Sequence, residues 1–354
     1  MAKRLTLALP GDINTLTGGY LYDKRVAQAL SEQGWDVQVL SLDARFPVVD
    51  EATCQVTAAE LAQVPRDRVL VIDGLALGAL GQHAQAIAGK RPFIALVHHP
   101  LALESGIDAV LAQTLHQSET AALAHAQGVL VTSPTTAHTL VEQYAVSQSQ
   151  IHVVEPGVDK PTALPERRAD HGPLKLLSVG ALVPRKGFDV LIRALAGLKH
   201  LDWTLTVVGD DTRSPATANE IKALLAQHEL NHRVQLLGAL PPAQLAACYQ
   251  TADVFVLASL YEGYGMAYVE AMAWGLPVVG TDGGAASQTL NTAAAKVVAA
   301  GNDQALADAL RELITNANLR ATMQAAARRH ADKLSSWSTV GQQFARAVTQ
   351  MHIP

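Results

Sequence analysis

Two glutamates with seven residues between them, Glu262 and Glu270, carry the densest chemical signal in this chain. They lie in Tyr261-Glu262-Gly263-Tyr264-Gly265-Met266-Ala267-Tyr268-Val269-Glu270, where an apolar run leads through a loop into a helix start. A carboxylate accepts well from paired hydroxyls. Gly263 and Gly265 let backbone approach a ligand closely, and the N–H groups of a helix start suit phosphate. Glu262 belongs to the loop and Glu270 to the helix about two turns on, so the two would face different parts of one elongated ligand. A second loop, Gly180-Ala181-Leu182-Val183-Pro184-Arg185-Lys186-Gly187, again joins a strand to a helix and holds adjacent cations. Arg185 and Lys186 there could neutralise a diphosphate.

Two weaker signals sit in the N-terminal half. Gly18-Gly19 lies in a loop between the first strand and first helix and lacks the Gly-x-Gly-x-x-Gly spacing of dinucleotide binding. His98-His99-Pro100 ends the strand Phe93–Val97, where a side chain of a parallel sheet reaches the ligand edge. His228-Glu229-Leu230-Asn231-His232 matches the His-Glu-x-x-His pattern of zinc proteases. That motif needs a continuing helix and a third ligand. Asn231 instead reads as a helix end, with a strand at Val234–Leu237. No Asp-x-Asp or His/carboxylate cluster is evident from spacing, so no metal site is expected.

The elements that must position these residues alternate. The N-terminal half reads as strands Leu5–Leu9, Val37–Leu42, Val69–Ile72, Phe93–Val97, Val129–Thr132 and His152–Val154. Amphipathic segments such as Tyr20–Gln33, Leu77–Ala88 and Thr135–Tyr144 fall between them. After an aperiodic stretch with three prolines, Lys160–Pro173, the pattern restarts at Leu174–Val179. Strands follow at Leu205–Val208, Val234–Leu237, Val254–Leu257 and Pro277–Val279. Helices start at Phe188 and Ala216 and cover Gln244–Tyr249, Val269–Ala273, about 303–316 and about 318–333. Short apolar strands alternating with helices mean parallel sheets covered on both faces. The expectation is α/β: two doubly wound Rossmann-like domains facing across a cleft, 1–160 and 174–334. A linker, 161–173, joins them, and a last helix covers about 337–351.

Composition removes other classes. The chain has 354 residues, 49% of them hydrophobic and 17% charged, which suits about two globular domains and not disorder. Residues 1–165 carry 10 basic and 16 acidic side chains. That excess is a poor partner for nucleic acid or an anionic membrane, and peripheral membrane contact gains no support from it. Cys54 and Cys248 match no metal or redox spacing. The apolar run Leu5–Leu9 stops at Pro10-Gly11, short of the about 7–15 residues of a signal peptide core and of a membrane span. A cytoplasmic protein without a transmembrane segment is expected.

Assembled, these residues resemble a retaining nucleotide-sugar glycosyltransferase of family 4, which has the GT-B fold. The likeness is strongest over about 174–300, and the Glu262-to-Glu270 segment is its most specific part. Gly18-Gly19, His98, Val131-Thr132-Ser133 and Val154-Glu155-Pro156-Gly157-Val158-Asp159 extend it. The resemblance implies that Glu270 holds the ribose hydroxyls of the nucleotide. It implies that Glu262 contacts a donor-sugar hydroxyl, helped by backbone N–H groups around Gly265 and Met266. Lys186 would bind the diphosphate, approached by Gly18-Gly19 from the other domain, and His98, or else His99, would sit beside the donor sugar. The last helix resembles one that crosses back to the N-terminal, acceptor domain. A hexosyltransferase needing no cofactor or metal is implied, acting by front-face attack on a sugar, lipid-linked or small-molecule acceptor. Another GT-B enzyme, an epimerase or a phosphorylase, or a non-catalytic nucleotide-sugar binding protein, is the alternative. Two departures stand out. Ala181 occupies the place of the family's usual Arg, for which Arg185 is the candidate replacement. Gly283-Gly284 leads to Ala285-Ala286-Ser287 instead of a Pro-Glu pair.

Overall fold

The computed structural model describes residues 3–104, 106–164 and 172–351. The chain forms two compact units, residues 1–157 with 335–354, and residues 158–334. The expected linker residues 161–164 and 172–173 fall on the side of the second unit, and 165–171 lie outside the described residues.

The first unit is built on six parallel strands. β1 (Arg4–Pro10), β2 (Asp36–Leu42), β3 (Val69–Asp73), β4 (Ile94–Val97), β5 (Gly128–Val131) and β6 (Ile151–Val153) stand in the order β2-β1-β3-β4-β5-β6. β3, β4 and β5 are buried along their whole length, as a parallel sheet covered on both faces requires. The covering helices are α1 (Gly18–Glu32), α2 (Glu51–Leu61), α3 (Gly74–Leu80), α4 (Ala84–Ala88), α5 (Ala109–Leu123) and α6 (Pro134–Tyr144). The helix expected over Leu77–Ala88 is broken. Gly81 takes φ 50°, and a 3₁₀ turn at Gly81–His83 separates α3 from α4.

The second unit repeats the plan. β7 (Leu174–Val179), β8 (Trp203–Val208), β9 (Val234–Leu236), β10 (Val254–Val256), β11 (Val278–Thr281) and β12 (Ala295–Val298) form a parallel sheet in the order β12-β11-β10-β7-β8-β9. Around it lie α7 (Phe188–Ala196), α8 (Pro215–Gln227), α9 (Pro242–Thr251), α10 (Met266–Ala273), α11 (Ala286–Thr289), α12 (Asp303–Thr315) and α13 (Ala317–Ala331). Its core runs from Trp203 and Phe255 through Tyr268 to Leu310.

The last helix, α14 (Trp337–Met351), belongs to the first unit, where it packs on α1. A Cβ on Gly341 would stand 2.6 Å from that of Ala29, so the two helices approach closely. Trp337 meets Tyr22 edge-on at 6.0 Å, and the Tyr22 hydroxyl donates to Val154 O at 2.9 Å. Among the described residues, no helix is long and apolar enough to cross a membrane.

Each sheet has one point where the chain turns back. In the first it lies between β1 and β3, and in the second between β7 and β10. Loops leaving neighbouring strands at such a point diverge and open a crevice beyond their carboxyl ends.

Candidate active site

At the second unit's turning point two loops meet. The loop after β7 ends in a 3₁₀ turn, Pro184–Lys186, that carries both cations. Gly187 follows with φ 61°, and a Cβ there would lie 2.1 Å from Ala258 O, so only glycine lets this loop pack on the one after β10. The contact brings Lys186 Nζ 2.6 Å from Glu262 Oε1 and Arg185 Nη1 3.4 Å from Glu262 Oε2. Arg185 Nη1 also donates to Tyr261 O at 2.8 Å, and Ser259 Oγ to Glu262 Oε1 at 2.5 Å. The two signals that stand apart in the sequence are therefore one cluster.

Glu262 is buried, and neither cation is solvated freely: their side chains are 15–16% exposed. Burial works against the charge on Glu262. The Lys186 ammonium and Arg185 guanidinium overcome it and hold the carboxyl below its ordinary range. Two cations against one carboxylate leave the cluster with a net positive charge. Beside it α10 begins at Met266 behind Gly265, whose φ of 96° and lack of a side chain leave the helix start without a side-chain cap. First-turn N–H groups of a helix have no partner inside it, so positive charge and open donors point the same way.

Glu270 lies one to two turns into α10, half-buried, and accepts from the Tyr249 hydroxyl of α9 at 2.8 Å. That bond fixes one carboxylate oxygen. Tyr249 also stacks on Trp274 at 6.2 Å, which fixes the phenol in turn. Tyr249 is a residue the sequence reading passed over. Ala181 follows Gly180, whose carbonyl would lie 1.8 Å from a Cβ on Gly209. The Gly283-Gly284 turn is tied to the cluster, since Glu262 N donates to Gly283 O at 3.2 Å and Ala285 N to Glu262 O at 2.8 Å.

At the first unit's turning point, contrary to the expectation from spacing, a His/carboxylate cluster forms: His98 Nε2 lies 3.0 Å from Asp23 Oδ1 and 3.4 Å from Asp73 Oδ2. The three come from the end of β4, from α1 and from the end of β3, so spacing along the chain could not reveal them. Both carboxylates are buried. Burial opposes the charge on His98, but Asp23 and then Asp73 outweigh it and lift the imidazole to about 10. Burial raises Asp23 to about 6 in spite of the imidazolium beside it. These ligand atoms lie within 4.8 Å of one another, and they are the one such group among the described residues. The His98 ring nitrogen thus meets both carboxylates at the place a cation would take.

Gly19 is spaced for His98: a Cβ there would meet His98 Cδ2 at 3.2 Å. Gly18 opens α1 behind Thr17, whose side chain caps the helix. Tyr22 packs edge-on against the His98 ring at 5.3 Å, so α14 supports His98 through Trp337 and Tyr22. His99 turns elsewhere, with Nε2 3.2 Å from Glu104 Oε2. In the zinc-protease look-alike, α8 ends at Gln227 and Glu229 takes φ 54°, so His228 and His232 share no helical face.

Comparison with known proteins agrees with this arrangement. The family profile described as "Glycosyl transferases group 1" matches residues 159–330, and "Glycosyltransferase Family 4" matches residues 67–160. A D-inositol 3-phosphate glycosyltransferase from Jonesia denitrificans is 31% identical over 220 residues, 56% of this chain and 51% of that protein. A mannosylfructose-phosphate synthase from Agrobacterium fabrum is 30% identical over 168 residues, 43% of this chain and 37% of that one. The chain thus spans about half, or less, of the length of these curated relatives. Sucrose-phosphate synthase from Thermosynechococcus elongatus superposes with a TM-score of 0.81 at 20% identity, covering 98% of this chain and 99% of that one. An Anabaena protein, HepE, solved with UDP and glucose, gives 0.76 at 19% identity over 99% of this chain and 100% of its own. With two α/β units, a pair of turning-point loops in each and both profiles matched in succession, the chain belongs to the family 4 glycosyltransferases of GT-B fold.

Proposed function

We propose that this chain is a retaining glycosyltransferase that moves a sugar from a nucleotide-sugar donor to an acceptor hydroxyl without a metal ion. The observation that carries the reading is the net-positive Arg185–Lys186–Glu262 cluster beside the uncapped start of α10. A departing nucleoside diphosphate develops negative charge in the transition state, and fixed cations with open N–H donors stabilise that charge. The UDP and glucose bound by the Anabaena HepE structure support a donor of this kind.

In this reading Lys186 and Arg185 meet the diphosphate, and Glu270, fixed by Tyr249, accepts from the ribose hydroxyls. Glu262 keeps its charge because the cations do, and accepts from a donor-sugar hydroxyl near Gly265 and Met266. His98 stands beside the sugar as a hydrogen-bond donor, since a ring protonated between Asp23 and Asp73 has no lone pair with which to act as base. The acceptor oxygen then attacks the anomeric carbon on the face the diphosphate leaves. One C–O bond forms, the C–O bond to phosphate breaks, and the hydroxyl proton passes to the departing phosphate oxygen. No side chain is needed as nucleophile.

The test begins with thermal unfolding in the presence of UDP-, GDP- and ADP-sugars, because binding to the native state raises the midpoint by mass action. The stabilising donor is then incubated with candidate acceptors, and the product anomer is read by NMR. A product with the donor's own anomeric configuration is expected. An inverted product, or a rearranged sugar nucleotide formed without acceptor, overturns the reading.

A further inference from the structure

One buried acid takes no part in the chemistry above. Glu119 stands on the covered face of α5 with Leu115, Ala122 and Leu123, and is 1% exposed. Burial lifts its carboxyl to about 8, opposed by the Leu101 amide and the Tyr144 hydroxyl of α6 rather than by a cation. Glutamate is almost never fully buried without such partners. Placing one here costs free energy that an apolar residue at this point of α5 would not.

What the acid holds is the turn that presents His98. β4 ends at Val97, and a 3₁₀ turn, Leu101–Leu103, begins three residues after the histidine. Leu101 N, the first amide of that turn, donates to Glu119 Oε2 at 2.9 Å. Thr132 Oγ1, just after β5, donates to His98 O at 3.2 Å. Between these two anchors stand His99, whose Nε2 lies 3.2 Å from Glu104 Oε2, and Pro100, whose ring fixes its φ at −62°. On α3, Gly78 leaves room for the turn: a Cβ there would stand 2.6 Å from Leu101 Cδ1 and 3.3 Å from Glu119 Cγ. The amide and the side chain of Leu101 are therefore both seated.

We propose that Glu119 is a positioning residue for His98: by accepting from Leu101 N it fixes the turn after β4, and so the backbone from which the imidazole reaches Asp23 and Asp73. This rests on the reading of His98 as a donor beside the transferred sugar. With no acceptor on α5, the buried Leu101 amide loses its partner and the turn shifts to find another. The ring, three residues back, then leaves its place, and small misplacements of a reacting group cost rate steeply.

Two substitutions of similar size separate this role from packing. Glu119→Gln keeps an oxygen for Leu101 N, whereas Glu119→Leu fills the space without one. Glu119→Leu should lower kcat about tenfold or more while the donor's KM changes less than about twofold. Glu119→Gln should keep more than about half of the parent kcat. The His98 ring signal in ¹⁵N NMR, identified by its loss in His98→Ala, should move in Glu119→Leu and stay in Glu119→Gln. Gly78→Ala presses on Leu101 from α3 with Glu119 intact. It should move the same signal and lower kcat several-fold, and it decides the question if Glu119→Leu does not fold. Parent kcat or an unmoved His98 signal in folded Glu119→Leu overturns the proposal. So does an unmoved signal in Gly78→Ala, or an equal loss in the leucine and glutamine variants. If His98→Ala itself turns over at the parent rate, the transferase role of His98 fails, while the NMR comparison still decides whether Glu119 places the ring.

Discussion

Lys186 Nζ and Glu262 Oε1 stand 2.6 Å apart although 76 residues separate them in the chain. The pair exists because β7 and β10 are neighbours in the sheet, so the loops leaving them share one edge. Fold topology joins into one charged cluster two loops that stand far apart in the sequence.

Removing the cation should expose what the pair does for stability. Glu262 has its carboxyl held low, so its contribution is present above the ordinary value of 4.5 and is lost as pH falls through the depressed one. In Lys186→Met, burial is opposed only by Arg185 and the Ser259 hydroxyl, and the carboxyl moves up. The variant should lose on the order of 2–3 kcal/mol at pH 7. The deficit should shrink toward pH 4.5, where Glu262 takes up a proton. Urea unfolding at the two pH values checks this, and an identical deficit at both would count against a buried, charge-compensated Glu262.

The His98 centre behaves oppositely. An imidazole raised to about 10 contributes stability that is complete below its unfolded value near 6.5 and disappears as pH climbs through 10. Asp23, raised to about 6, favours the native state only while protonated. Removal of the imidazolium moves Asp23 higher still, a trend opposite in sign, so the charge on His98 is read directly: in ¹⁵N NMR both ring nitrogens should remain protonated at pH 8. A neutral imidazole signal at pH 8 would show that Asp23 and Asp73 do not hold the ring charged.

Much of this architecture is legible in the sequence, and the misses have physical causes. Strand β7 and helix α14 coincide with their expected bounds because each has a clean apolar period and a turn or proline nearby. Helix α5 is not legible, because within Ala109–Leu123 only Leu115, Glu119, Ala122 and Leu123 are buried and the acid among them interrupts the apolar period. Burial lifts that acid to about 8, although Leu101 N donates to it at 2.9 Å. Strand β12 is four residues long at the sheet edge, too short to alternate visibly. At the site, Arg185, Lys186, Glu262 and Glu270 are found by residue type and loop context. Asp23, Asp73 and Tyr249 are not, because each is recognised only through its partner across the fold.

The Tyr249–Glu270 bond separates binding from orientation. Glu270→Ala should weaken affinity for the nucleoside diphosphate about 10- to 150-fold, the range of a hydrogen bond to a charged group. Tyr249→Phe keeps the carboxylate but frees one oxygen, so a smaller loss of about 3- to 10-fold is expected. Calorimetric titration of both variants decides it. Parent affinity in Glu270→Ala would remove that residue from the nucleotide site.

The last prediction concerns the arginine missing at position 181. Arg185 is braced, with Nη1 on Tyr261 O at 2.8 Å and on Glu262 at 3.4 Å, so its guanidinium is held at the edge of the cluster and not spread into solvent. A guanidinium has five donors in a rigid fork that matches phosphate oxygens. The charge on the leaving diphosphate grows in the transition state, so a cation fixed there lowers the barrier more than it tightens donor binding. Arg185→Ala should therefore reduce kcat by about 10²-fold or more, with a smaller change in the donor's KM. Arg185→Lys restores charge but neither the fork nor the brace on Tyr261, and should recover activity only in part. Ala181→Arg added to Arg185→Ala returns a guanidinium to the same loop, next to Gly180 and four residues before the lost one. It should recover kcat without changing which donor is used. If Arg185→Ala turns over at the parent rate with saturating donor, Lys186 alone carries the diphosphate charge and Arg185 serves only to hold the Glu262 loop.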